Sequence, residues 1–209
     1  MSDVYVVGSG PTLNYIDPSF FDGKEVVAVN YAGDRLGIHE IADVTVHTHY
    51  HNEAHALATK YPQSWVWTPE GDAGHSGSPP ADSPPNVIYY PHPPTRFDFD
   101  VAKASLPEGL LVGSTSAHGA IHLACKAGAR NVILVGLDCG LLDGETNHGD
   151  HPLTAVPDAR PPLEILTRWD THLRQVKAWL LERYPVNIYS LNPFVNLNLE
   201  GHEWSGVRQ

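Results

Sequence analysis

Short apolar runs alternate with amphipathic stretches along this chain of 209 residues. Residues 3–8 (DVYVVG), 25–29 (EVVAV), 43–47 (DVTVH) and 64–68 (SWVWT) are β-branched or aromatic runs of strand length. Runs of this kind, with little polar interruption, predict strands buried on both faces. Between the third and fourth, residues 52–61 carry Ala54, Leu57 and Ala58 at helical spacing and predict a helix. Further strands are predicted at 86–90 (NVIYY), 131–136 (NVILVG) and 187–191 (NIYSL). Ser114 or Thr115 can cap a helix whose apolar stripe is Ala117, Ala120, Ile121 and Ala124, and Gly128 ends it. Residues 164–184 form a longer amphipathic helix carrying Leu166, Trp169, Leu173, Val176 and Leu180.

Strands alternating with helices imply an α/β fold: a Rossmann-like, doubly wound, mostly parallel sheet covered on both faces. The pattern breaks twice, over about 69–111 and 141–162. The first of these stretches holds eight prolines between residues 69 and 94, and GDAGHSGSPPADSPP is incompatible with regular structure. It reads as a Pro/Gly-rich lid inserted into a single nucleotide-binding domain spanning 1–209. In parallel sheets ligands sit beyond the carboxyl ends of the strands, at a topological switch point. The segments 8–12, Asn30, 47–51, 113–116 and 138–140 all fall at such ends, so one shared site is expected.

Composition narrows the classes. Hydrophobic residues make up 42% of the chain, as in a soluble globular protein. No apolar run is long enough to span a bilayer. Met1, Ser2 and Asp3 lead directly into the first strand, so a cytoplasmic location is expected. A net charge of -11 argues against a nucleic-acid partner. Cys125 and Cys139 form neither a disulfide framework nor a CxxC pair. Thirteen histidines are the compositional oddity. Whether the chain forms a homo-oligomer is left open.

The stretch VVGSGPTLNYID concentrates the chemistry. Gly8 and Gly10 would let backbone N–H groups approach an anion, Pro11 stiffens the turn, and Ser9 and Thr12 add hydroxyls. The same glycines also suit a tight strand-to-helix turn with no ligand. A dinucleotide site would hold an acidic residue after the second strand, and Asn30 stands there, which disfavours NAD.

VVGSGPTLNYID, VVAVNYAGD, GSTSAHGAIHLACKAGARNVILVGLDCG and VNIYSLNP together resemble the bacterial lipooligosaccharide sialyltransferases that use CMP-activated sialic acid. The related 6-hydroxymethylpterin diphosphokinase-like Rossmann proteins are similar too, sharing a Gly-x-Gly-Pro-Ser-Leu turn. The resemblance covers the first 30 residues and most of 112–193, not the lid. It implies nucleotide contacts from Gly8, Ser9, Gly10, Pro11, Thr12, Asn30, Ser114, Thr115, Ser116 and Asp138. The family's tyrosine soon after the aspartate is replaced by Cys139 and Gly140. Its catalytic histidine, expected just before the last long helix, falls on Leu166 and Thr167.

A displaced base is therefore sought in ETNHGDHP, where His148 and His151 can take a proton and Asp150 can orient one imidazole. The same residues also read as metal ligands, or as a polar loop. HTHYHNEAH departs from a zinc-hydrolase motif where that motif is most diagnostic, so His47 and His49 are taken as lining a polar pocket. His118, His122 and Cys125 have ligand-compatible spacing, but packing accounts for His122 and Cys125. His118 lies nearer the helix start, where a phosphate would sit.

The reading is a small glycosyltransferase with a nucleotide-activated, CMP-linked sugar donor and a small-molecule or glycan acceptor, needing no cofactor or metal. The alternatives are a diphosphokinase-like enzyme using ATP and Mg²⁺, a nucleotide-binding protein without catalysis, and a zinc-dependent hydrolase.

Overall fold

The structure, a computed structural model, describes residues 2–30, 32, 44–46, 51–70, 79–91, 109–111, 115–139 and 163–191. Seven strands form one sheet: β1 (Asp3–Val7), β2 (Glu25–Val29), β3 (Val44–Val46), β4 (Trp65–Pro69), β5 (Val87–Tyr90), β6 (Asn131–Val135) and β7 (Asn187–Ser190). Their order is β5-β4-β3-β2-β1-β6-β7, and every neighbouring pair is parallel. The order reverses between β1 and β6, which is the switch point. In β1, Val4 pairs with Val132 and Val7 with Val135 of β6, while on its other side Val7 pairs with Ala28 of β2.

Among the described residues, three α-helices pack against the sheet: α1 (His51–Lys60), α2 (Ser116–Lys126) and α3 (Leu163–Leu181). Both faces of the central strands are buried, which explains their near-continuous apolar character. Val4, Val6, Val27, Val29, Val132 and Leu134 share a core with Ala117, Ala120, Ile121 and Ala124 of α2 and Leu173, Val176 and Leu180 of α3. On the opposite face Val7, Val26, Ala28 and Val135 pack against Leu13, Ile16 and Phe21. These three come from a segment that holds two 3-10 helices, Pro11–Tyr15 and Pro18–Phe21, where the chain leaves β1. Prolines at their first positions, and Asp17, whose side chain accepts from the Ser19 N–H, set where these helices start. A smaller core under α1 joins Ala54, Leu57, Ala58 and Tyr61 to Val66.

All seven strands lie within a residue or two of the positions predicted from the pattern, including β5 inside the proline-rich stretch. Residues 71–78 and 92–108 of the expected lid, and the segment 141–162, lie outside the described residues. None of the helices in the described residues is long and apolar enough to cross a membrane.

Candidate functional site at the switch point

The glycine turn after β1 leans directly on the loop after β6. The Gly8 N–H donates to the Val135 carbonyl at 2.8 Å, and the Gly10 N–H donates to the Gly136 carbonyl at 2.6 Å. A Cβ on Gly8 would run into the Leu137 side chain and the Gly136 carbonyl. A Cβ on Gly10 would meet the Asp138 carboxylate and the same carbonyl. The two glycines are therefore needed for close approach of two loops. Their amides, which the sequence leaves open to an anion, are engaged by β6.

Asp138 completes this junction. Its Oδ2 accepts the Thr12 N–H at 2.9 Å, and its Oδ1 accepts the Thr12 hydroxyl. The carboxyl group is buried. Burial pushes its pKa up, and the two bonds from Thr12 oppose that rise. The aspartate thus ties the turn to the β6 loop across 126 positions of chain. Gly136 (φ 64°) and Cys139 (φ 49°) bracket it in the left-handed region. For Cys139 that conformation costs roughly 1–2 kcal/mol and marks a constrained loop.

Asn30, at the carboxyl end of β2, also adopts a left-handed conformation with φ 54°. Its Oδ1 accepts the Ser116 hydroxyl at 2.9 Å. The preceding Thr115 is the N-cap of α2, and its Oγ1 accepts the Ala117 N–H at 3.2 Å. Three of the predicted nucleotide contacts, Asn30, Thr115 and Ser116, therefore meet at the start of α2. The side-chain amide of Asn30 donates no bond within the described residues, so its two N–H groups are available to a ligand.

His118 lies in the first turn of α2 and is fully buried, with neither ring nitrogen hydrogen-bonded. Desolvation, with the His172 imidazole adding to it, lowers its pKa to about 3. His122, one turn on, has a structural role. Its Nδ1 accepts the Leu111 N–H at 2.8 Å, so its Nε2–H faces the Tyr184 hydroxyl at 2.9 Å. Cys125 packs in the core, and burial pushes its thiol up to about 12.

The sequence reading missed the contribution of α3. The helix has 19 residues, roughly 28 Å, against about 16 Å for a five-residue strand. Midway along it, His172 stands against His118, with ring centroids 6.4 Å apart. Burial first, and Arg168 second, hold the His172 pKa below the ordinary value. Asp170 accepts from Arg174 Nε at 3.1 Å, while its Oδ1 is buried without a partner. Both charges reach Cys139, whose thiol burial and the Asp170 and Asp138 carboxylates push up to about 12. The only signal in the sequence was the polar spacing of Arg168, Asp170, His172 and Arg174 inside an apolar helix stripe.

His148, Asp150 and His151, with Ser114, His47 and His49, lie outside the described residues. Farther along the same edge, His51 opens α1 and its Nε2 lies 2.9 Å from the Pro69 carbonyl. His55 Nε2 lies 2.7 Å from the Tyr89 hydroxyl, which in turn is 2.6 Å from Ser83 Oγ. Among the described residues no three His, Cys, Asp or Glu side chains are grouped to hold a metal ion.

No protein-family model and no curated protein matches this chain. Among solved structures it superposes on the MAf glycosyltransferase from Magnetospirillum magneticum AMB-1 with a TM-score of 0.51 and 16% identity, over 98% of this chain. Its structural neighbours are glycosyltransferases. The chain spans 35% of the length of that first enzyme, and the likeness is one of fold: a Rossmann-like α/β domain with a parallel central sheet. The sialyltransferase CST-II, solved in complex with a trisaccharide acceptor and CMP, superposes with a TM-score of 0.48 and 12% identity, over 100% of this chain and 91% of that one.

Proposed function

We propose that this chain is a small glycosyltransferase that takes a nucleotide-activated sugar, with a CMP-linked donor, and passes the sugar to a small-molecule or glycan hydroxyl. The observation that carries the reading is the meeting of Asn30, Thr115 and Ser116 beside the β1–β6 switch point, on a fold shared with a glycosyltransferase. Asn30 offers amide donors, and the N-terminus of α2 adds positive potential for the phosphate. In this reading Gly8, Gly10, Pro11, Thr12 and Asp138 form the rigid floor of the site. Ser9, half-buried after β1, offers its hydroxyl to the nucleotide, and Ser114 is a further proposed contact.

With helix and side-chain donors on the phosphate, the transfer needs no metal. His148 and His151, which follow Asp138 in the sequence, are the residues we propose to take the acceptor proton, with Asp150 orienting one ring. The test is turnover of CMP-sialic acid, by water or by a glycan acceptor, in the wild type and in a His148→Ala, His151→Ala double variant. Release of CMP by the wild type and a loss of about 10² to 10⁴ in the variant are expected. Absence of release from every CMP-sugar tried would refute the donor class.

A further inference from the structure

The carboxylate of Asp170 is only half used. Its Oδ2 accepts from Arg174 Nε at 3.1 Å, and its Oδ1 is buried with no partner among the described residues. A buried anionic oxygen without a donor is costly, and native chains rarely keep one without a reason. The neighbouring donors on α3 leave the place open. Arg174 is bonded to the other oxygen, and Arg168 and His172 hold contacts of their own.

The open oxygen stands beside the loop after β6. Cys139 follows Asp138 directly, and its φ of 49° sets the chain there in the left-handed region. Its side chain packs against the core to which Leu173 of α3 belongs. Asp170 acts on the Cys139 thiol more strongly than Asp138, the adjacent residue in the chain. The protonated thiol is a weak donor and leaves Oδ1 unbonded. Asn30 stands at the end of β2. Because β2 and β6 flank β1, their ends are about 10 Å apart, two strand spacings. A sugar ring joined to a phosphate covers a comparable length.

The partner that fits Oδ1 is a donor without charge. Arg174 already balances the carboxylate, so a second cation would leave the pair charged. An anionic group would be repelled by Asp170 and Asp138 together. A hydroxyl satisfies the oxygen and leaves the local charge unchanged.

We infer that Asp170 is a specificity-determining residue whose Oδ1 accepts a hydroxyl of a sugar bound beside the β6 loop, with Arg174 holding the carboxylate in place through Oδ2. The inference rests on the glycosyltransferase reading for the identity of the ligand as a sugar. The hydroxyl belongs to the transferred sugar or to the acceptor glycan, and both present the same chemistry. Asn30 and Ser116 then serve the nucleotide on the β2 side of the switch point, and Asp170 serves the sugar on the β6 side. The free chain carries the unfavourable oxygen until the sugar arrives, as sites that hold function at the expense of stability do.

The first experiment uses the free chain and no substrate. Urea midpoints are compared for the wild type and Asp170→Ala. Arg174 is 45% exposed, so losing its partner has little effect on stability. Removing the orphaned oxygen is expected to raise the midpoint at constant m-value. A lower midpoint would mean that Oδ1 already has a partner in the free protein, a bound water included, and overturns the inference.

The second experiment titrates CMP and CMP-sialic acid into both proteins by calorimetry and follows transfer to a glycan acceptor. Asp170→Ala is expected to bind CMP as the wild type does. If the hydroxyl is the donor's, affinity for CMP-sialic acid falls by about 10- to 100-fold. If it is the acceptor's, donor affinity holds and the acceptor KM rises by a similar factor. Asp170→Asn, which keeps an acceptor oxygen, recovers part of the loss. Unchanged donor affinity together with unchanged acceptor KM in folded Asp170→Ala overturns the inference. If the wild type binds neither CMP nor CMP-sialic acid while the Asp170→Ala midpoint rises, the open hydroxyl site stands and the glycosyltransferase reading fails instead.

Discussion

At the scale of single residues, Asp138 and Gly10 carry most of the local design. Asp138 accepts two bonds from Thr12, one from nitrogen and one from oxygen. An asparagine offers one acceptor oxygen and sets an NH₂ against the remaining donor. Asp138→Asn is therefore expected to lower stability by about 1–3 kcal/mol, read as a shift of the urea midpoint at constant m-value. Gly10→Ala places a methyl group against the same carboxylate. Its expected cost is about 1–3 kcal/mol by overpacking, again measured by urea unfolding, and a neutral result would show that the turn is free to move. The sequence made Gly8 and Gly10 legible as glycines that need space. It did not show that their amides bond to β6, because the partner strand lies some 125 positions away, and the strand order cannot be read locally. For the same reason Asp138 was legible as a site residue but its bonds to Thr12 were not.

At the scale of elements, α2 is where legibility was greatest and least. Its cap, stripe and end follow from Thr115, the alanines and Gly128, as local rules predict. The facing of His118 towards α3 and of Ser116 towards Asn30 depends on packing between elements. Thr115→Ala removes the N-cap acceptor and is expected to lower stability by about 1 kcal/mol. An equal loss of nucleotide affinity is expected only if the cap also orders the phosphate contacts, and titration of the folded variant with CMP separates the two. The helix α3 was predicted as an amphipathic stripe, but the approach of His172 to His118 was not legible, because it depends on how α2 and α3 pack.

At the scale of the molecule, two of the buried imidazoles, His118 and His122, link stability to pH. Folding lowers the pKa of His118 to about 3 and of His122 to about 4, both below the ordinary value near 6.5. The unfolded chain therefore binds more protons than the native chain below about pH 6.5. Their contribution is fully present above that pH and is lost as pH falls towards 4. Each imidazole contributes a slope of roughly 1.4 kcal/mol per pH unit within its window, so two give about 2.7. Asp138 works in the opposite direction near the acid end, because its folded pKa is raised. Urea midpoints measured between pH 7.5 and 4.5 should fall steeply below pH 6. A flat profile would mean that at least one ring finds a partner in solution.

The central claim is that a nucleotide binds where Asn30 and Ser116 meet beside the switch point. The most direct measurement is calorimetric titration of CMP into the wild type, Asn30→Ala and Ser116→Ala at one pH and salt concentration. The account predicts saturable one-site binding to the wild type and a loss of about 1–3 kcal/mol in each variant, equivalent to roughly a fivefold to 150-fold weaker Kd. Binding of CMP with equal affinity to all three folded proteins would contradict it.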